Sequence, residues 1–189
     1  MIKNQKLKNI AEIISGYSFR VSVFDYPLGD TIFLQSRNLL ENMTLDLSTD
    51  LRLDFKGVKT KAFTKRNDIL LGSKGNPTVG YVESDDKILI SSSIYIIRIS
   101  NQTVLPKFLA IYLDSTKGHN ELSKITLGGY IKGISKTNLE ELQIPIPSMD
   151  IQKKMVSLYD NIVKQKVFLE RKSTINDKIL DSIVNHLTF

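Results

Sequence analysis

Residues 144–147 read Ile-Pro-Ile-Pro, and from Met149 to Phe189 the chain contains neither proline nor glycine. Each proline lacks an N–H and pushes the residue before it toward extended geometry, so this stretch cannot be helix interior. Ser148 or Asp150 can then cap a new helix. A globular region over residues 1–148 therefore ends at this junction, and a long helix over residues 149–189 begins.

At 1.5 Å per residue, a helix over residues 149–187 runs roughly 55–60 Å. Its apolar residues Ile151, Met155, Leu158 and Ile162 are spaced 4, 3 and 4 apart. Leu169 continues that register after a gap at Gln165, and Ile179 and Ile183 fall on it later. This is an imperfect heptad seam, interrupted by Gln165, Lys172 and Asn176. A helix of that length cannot bury its whole stripe on the globular region, and no breaker lets it fold back as a hairpin. The seam therefore predicts a partner helix, with its polar residues selecting register or orientation at some cost in stability.

Upstream, Leu7, Ile10, Ile13 and Ile14 at helical spacing predict a short helix or extended turn over Lys6–Ser15, with Gly16 as a stop. A loop with aromatic anchors (Tyr17, Phe19, Phe24, Tyr26) follows, and then a short strand at Thr31–Leu34. Lys56–Thr64 alternates weakly and predicts a strand with a basic face. Ile69–Gly72 reads as a buried strand, and Lys87–Ile90 and Ser93–Ile99 are rich in β-branched residues. Pro106 starts a helix with Phe108, Leu109, Tyr112 and Leu113 on one face and Gly118 at its end. The fold class predicted is α+β: a mixed globular domain with many short strands, followed by one long C-terminal coiled-coil helix.

Composition narrows the chemistry. A hydrophobic share of 41% and a charged share of 24% are those of a soluble globular protein. No apolar run approaches the roughly 18 residues that cross a bilayer, and MIKNQKLKNIAEII lacks the apolar core and cleavage site of a signal peptide. A cytoplasmic location is the expectation. With no cysteine, disulfides, thiolate catalysis and cysteine-ligated zinc are excluded. His119 and His186 stand far apart, which argues against a histidine metal site or a triad, and both read as surface residues.

The net charge is +6 and the pI about 9.4. The excess is concentrated: Arg52, Lys56, Lys59, Lys61, Lys65, Arg66 and Lys74 face only Asp54 and Asp68 in the block from Arg52 to Gly80. A solvated surface with spare lysines explains such a block, and so does a nucleic-acid partner. The loop GSKGNPTVG at 72–80 lacks the G-x-x-x-x-G-K-[ST] order of a phosphate-binding P-loop, so a hairpin loop touching a DNA backbone fits the surrounding charge better. Asp85-Asp86 reads as a solvated hairpin tip, and Ser91-Ser92-Ser93 lacks both a nucleophile elbow and a suitable histidine. Gly128–Gly133 sets Tyr130 and Lys132 among glycines, useful for contacting nucleic acid and equally for turn geometry. No catalytic constellation survives, so the chain reads as a non-enzyme with no metal and no cofactor of its own.

With those segments laid out, the chain resembles the specificity subunit of type I restriction-modification systems. Four segments carry the resemblance: KLKNIAEIISG at 6–16, KRNDILLGSKGNPTVGYV at 65–82, GGYIKGIS at 128–135 and QIPIPSMDIQKKMV at 143–156. The last is the nearest to the family pattern, an Ile-Pro-x-Pro junction followed by a Gln-Lys helix start.

The resemblance implies a non-catalytic DNA-reading subunit. It has a target-recognition domain, here 1–148, and a helix, here 149–189, for dimerisation and methyltransferase docking. The family's complete subunit carries two recognition domains and two antiparallel helices, whereas this chain has one of each. It is expected to be a natural half-subunit that dimerises, one half of a longer protein, or a truncated gene product. A dimer through the seam would read a gapped palindrome, since site symmetry mirrors protein symmetry. S-adenosylmethionine would belong to the methyltransferase subunit, and ATP and magnesium to a restriction (motor) subunit.

From charge and loop position, Lys59, Lys61, Lys65, Lys74 and Lys132 are the phosphate candidates. Arg37, Asn38, Asn76 and Thr78 are the base-reading candidates, with Tyr130 beside them. Two readings of other classes stand beside this one: a coiled-coil protein-interaction module without DNA specificity, and, ranked last, a nuclease using Asp85 and Asp86.

Overall fold

The computed structural model describes residues 2–20, 22, 27–48, 51–55, 58–127 and 133–187, the side chains of 186 and 187 excepted. The chain divides into two compact units, Met1–Lys153 and Lys154–Phe189.

The first unit is built on the isoleucine-rich strand β8 (Ile94–Ile99), which lies inside a four-stranded antiparallel sheet. Its order is β2 (Ala11–Ser15), β8, β5 (Ile69–Gly72), β6 (Val79–Tyr81). Ile94, Ile96 and Ile97 are fully buried, as are Ile69, Leu70 and Leu71 of β5, because covered strands read as continuous apolar runs. A second sheet has β3 (Leu28–Leu34) between β4 (Arg52–Leu53) and β7 (Ile88–Ile90), with β3 and β7 parallel. Phe33, Leu34, Leu53, Leu89 and Ile90 join Leu70 and Ile96 in one core. Beside it Tyr17, Phe19, Phe33 and Phe55 stack edge to face at 5.0–5.6 Å.

Helices α1 (Pro106–Asp114), α2 (Thr116–Lys124) and α3 (Lys136–Glu140) follow, with the short hairpin β9 (Thr126–Leu127) and β10 (Gly133–Ile134) between the last two. β11 (Gln143–Ile146) returns to pair with β1 (Lys3–Lys6), Asn4 opposite Pro145, and α4 (Met149–Leu187) begins three residues later. Buried Gln152, in the first turn of α4, donates to the carbonyls of Thr103 (2.8 Å) and Pro147 (3.0 Å) and accepts the Leu105 N–H (2.8 Å).

Three local expectations differ from the structure. Of the two readings of Lys6–Ser15, the helix fails and the extended turn is nearer: a 3-10 turn at Leu7–Asn9 is flanked by strands that pair with β11 and β8, and those ladders override the helical spacing. Gly16 accordingly serves a close backbone approach, since a Cβ there would sit 1.9 Å from the Ser91 carbonyl oxygen. The described part of Lys56–Thr64 forms no strand beyond a single bridge from Phe63 to Leu89. Gly118 does not close α1. Ser115 caps α2 by accepting the Gly118 N–H at 3.1 Å, which leaves the glycine inside the second helix.

The second unit is the body of α4. Twelve of the sixteen exposed large hydrophobic residues among those described lie on this helix, so exposed apolar surface is concentrated there. The seam residues Ile151, Met155, Leu158, Ile162, Leu169, Ile179 and Ile183 are all exposed, Leu158 at 61%. Leu180 and Val184 follow directly on Ile179 and Ile183 and are exposed as well, broadening the apolar face beyond the narrow seam. No described helix is long and apolar enough to cross a membrane.

Candidate nucleic-acid interface

Those of the residues predicted to meet DNA that the structure describes fall near the two ends of β5, three residues or roughly 10 Å apart along the strand. At the Gly72 end, β5 turns into β6 through an exposed loop carrying Lys74 and Asn76. Gly75 holds a left-handed φ of 74° at the tip, with nothing within 4 Å of a Cβ there. The loop is closed by the Gly72 N–H donating to the Thr78 carbonyl at 2.9 Å, while the Thr78 hydroxyl turns back to the Asn76 carbonyl at 3.4 Å.

Arg37 stands exposed beside this end, on the 3-10 turn Ser36–Asn38. Its placement is fixed by the Ser36 hydroxyl, within 2.8 Å of the Ser93 hydroxyl, and by the Ser73 N–H donating to the Ser93 carbonyl at 2.8 Å. Lys74 bridges to Gly133 of β10, so three loop systems meet at one edge.

Asn38 does not belong to that exposed set. It is 5% exposed, and its Oδ1 accepts the Gln35 N–H at 3.0 Å in a reciprocal capping box. Its side chain also hydrogen-bonds the Asp46 carboxylate, so this buried amide is occupied within the fold and is not presented on the surface beside Arg37. Tyr130 and Lys132 lie outside the described residues.

At the other end, Lys59, Lys61 and Lys65 line one open groove of about 980 Å³, together with Lys87, Arg98 and Glu12. Phe55, Val58 and Phe63 supply its apolar surface. Sequence reasoning singled out neither Lys87 nor Arg98, which stand outside the basic block. The signal for Arg98 was a lone arginine inside the isoleucine run of β8.

Arg98 is committed to the fold. Its Nε and Nη2 donate to Asp68 at 2.8 and 2.7 Å, and Nη2 also reaches the Phe63 carbonyl at 3.1 Å. Asp68 is 1% exposed and accepts the Lys65 N–H at 2.7 Å as well. Bound carboxylate and guanidinium thus knot the whole 63–68 turn, and the bond to Asp68 raises the Arg98 pKa. Lys61 donates to Glu12 at 2.6 Å, and that bond depresses the Glu12 pKa. Lys59, Lys65 and Lys87 are exposed.

Asp85 forms an ion pair with Arg66 at 3.1 Å, and among the described residues no group of three histidine, aspartate or glutamate side chains converges as a metal site would require. The half-exposed His119 stands 3.8 Å from Asp114. The arrangement presents cations near both ends of β5, with short polar side chains at the Gly72 end, chemistry that suits an extended polyanion.

Comparison with known proteins adds a family match, a relative and two solved structures. Residues 2–180 match the family model described as type I restriction modification DNA specificity domain. The type I restriction enzyme MjaIX specificity subunit of Methanocaldococcus jannaschii is 27% identical over 183 residues, covering 93% of this chain and 41% of that protein. Among solved structures, the HsdS subunit from Thermoanaerobacter tengcongensis superposes with a TM-score of 0.59 at 18% identity, over 90% of this chain and 39% of that one. A chain from work on complex assembly and conformational transition of the type I R-M system gives 0.66 at 18% identity, over 96% and 43%. The fold is therefore shared, and this chain spans about two fifths of the length of the relatives it matches.

Proposed function

The chain belongs to the family of type I restriction modification DNA specificity domains, and from that premise we propose that it is the non-catalytic DNA-recognition component of a type I restriction-modification complex. The observation that carries this reading is the extent of the match, which runs through the globular unit and most of α4 together. Residues 1–148 serve as the target-recognition domain and residues 149–189 as the dimerisation and docking helix. Double-stranded DNA is the ligand, and a DNA methyltransferase subunit is the partner, joined in a restriction complex by a motor subunit. S-adenosylmethionine, ATP and magnesium sit on those partners, and the work is done in the cytoplasm.

Two features support the finer assignment. The exposed apolar face of α4, with Leu158 and Ile162 in its first half, has the heptad spacing of a helix that pairs. Two copies related by a two-fold axis would present identical domains to DNA and read a palindrome with a central gap. Within each half, Arg37 and Asn76 are the base readers on exposed loops, with Thr78 beside them. Lys74 and the groove lysines hold phosphates.

The experiment is the solution mass of the purified chain, alone and mixed with a candidate methyltransferase subunit. A particle of twice the 21.4 kDa chain mass that takes up methyltransferase chains supports the reading. A monomer that ignores the methyltransferase rejects the dimer and leaves a fragment needing its missing half, or a binding module of a different kind.

A further inference from the structure

The groove at the Asp68 end of the sheet is more organised than a scatter of surface lysines. Thr64, itself buried, clamps its two walls: the Thr64 N–H donates to the Ile88 carbonyl at 2.9 Å, its hydroxyl donates to the Asp86 carbonyl at 3.2 Å, and it accepts the Ile88 N–H at 3.2 Å. Those three bonds hold Lys65 and Lys87 across from one another. The Arg98–Asp68 pair ties the same wall from below, through the Phe63 carbonyl and the Lys65 N–H. The backbone that carries the lysines is therefore fixed, and only their flexible side chains remain to be ordered by a ligand. Beyond Lys87 lies a cleft lined by Asp30, Asp54 and Asp86 together with Arg52 and Lys87 itself, so the cations are concentrated on the trough side, where Lys59, Lys61, Lys65 and Lys87 face one carboxylate among the described residues.

Among the described residues one carboxylate lines this trough, that of Glu12. It sits opposite Arg98 in the β2–β8 ladder and takes a bond from Lys61 at 2.6 Å. Both partners are well exposed, so the pair is weak and exchangeable. A phosphate oxygen offers Lys61 the same acceptor chemistry as a carboxylate oxygen.

We infer that this trough is a phosphodiester-strand grip in which Glu12 stands in for a phosphate until DNA displaces it from Lys61. The inference rests on the reading of the chain as a DNA-binding protein and adds a division of labour. Lys59, Lys65, Lys87 and the released Lys61 hold backbone without regard to sequence, and the loops at the other end of β5 do the reading. Lys87 joins the contact set, and Glu12 becomes a counter-charge that weakens backbone binding.

The test is duplex binding by the full chain as a function of salt, using a mixed-sequence double-stranded DNA, with a thermal melt of each variant to verify folding. Each phosphate contact contributes about 0.9 to the slope of log affinity against log salt. The triple variant Lys59→Ala/Lys65→Ala/Lys87→Ala is expected to lose about 2–3 from that slope.

Glu12→Gln is expected to bind roughly two- to fivefold tighter, the factor that corresponds to freeing one exposed ion pair. The same substitution in a Lys61→Ala background is expected to give no gain. A wild type that binds while every variant keeps its slope and affinity overturns the grip and leaves the DNA-binding reading intact. Equal tightening by Glu12→Gln with and without Lys61 overturns the displacement. A wild type that binds no duplex at any salt overturns both readings.

Discussion

Arg98 and Asp68 show how one residue pair supports a surface it does not itself offer to a ligand. The surface pairs of this chain, such as Arg66–Asp85, join exposed groups and add little stability. Asp68 is buried and carries three charge-assisted or backbone bonds, so removing its cation strands a charge without solvent. Arg98→Ala is expected to cost about 3–5 kcal/mol in denaturant unfolding, the usual consequence of breaking a buried pair. Arg98→Lys keeps the charge and loses the fork, so an intermediate cost is expected from the same measurement. Gln152 works in the same way with neutral groups. Its amide is fully buried and satisfies two carbonyls and one N–H, so Gln152→Leu is expected to destabilise by about 2–3 kcal/mol through unpaired backbone groups. Unfolding midpoints with unchanged m-values are the check, since a changed m-value would indicate a different denatured state instead.

At the scale of elements, the strands of the core and the long helix were legible because each rests on a local signal that tertiary structure does not reverse. Ile69–Gly72 and Ser93–Ile99 are apolar enough to be buried on either face, and 149–187 has nothing to interrupt a helix. Lys6–Ser15 was not legible, because Leu7, Ile10, Ile13 and Ile14 satisfy a helical stripe and a turn-plus-strand equally, and long-range pairing with β8 and β11 decides between them. The candidate site was legible by charge but not by geometry. Composition marks Lys59, Lys61 and Lys65, while Lys87 reaches the same groove only through the Thr64 clamp, and the burial of Asn38 follows from a capping box that its sequence does not announce. The exposed face of α4 carries its own prediction. Leu158→Asp with Ile162→Asp places two charges on the seam, and the proposed dimer is expected to fall to the 21.4 kDa chain mass in light scattering. Both substitutions lie in the second unit, so the melting of the first is expected to stay unchanged.

For the molecule as a whole, acid is the condition that separates its electrostatic ties from its packing. Glu141, at the end of α3, binds Lys6 at 2.6 Å and Lys8 at 2.5 Å, joining the first strand to the segment that leads into β11. Those two bonds pull its pKa from 4.5 down to about 2, and Glu12 and Asp46 are lowered by Lys61 and Ser48 respectively. A carboxylate whose pKa is lower folded than unfolded adds stability above its unfolded value and loses it as pH falls through its folded value. Asp114 runs the other way: burial raises its pKa, so its ionisation opposes folding as pH rises, and acid relieves that cost. With three lowered carboxylates against one raised among the described residues, stability is expected to be greatest above the unfolded value of 4.5 and to decline as pH drops toward 2. Glu141→Gln isolates one contribution. Its deficit relative to wild type is expected to be constant above pH 5 or so, because the carboxylate is then ionised in both states. That deficit should shrink below the unfolded value of 4.5 and close as pH passes through about 2. Urea unfolding of both proteins across that range measures the difference directly. A deficit that persists unchanged at the lowest pH means that Glu141 acts through packing or helix termination, and the lysine clasp on the first strand then contributes nothing to stability.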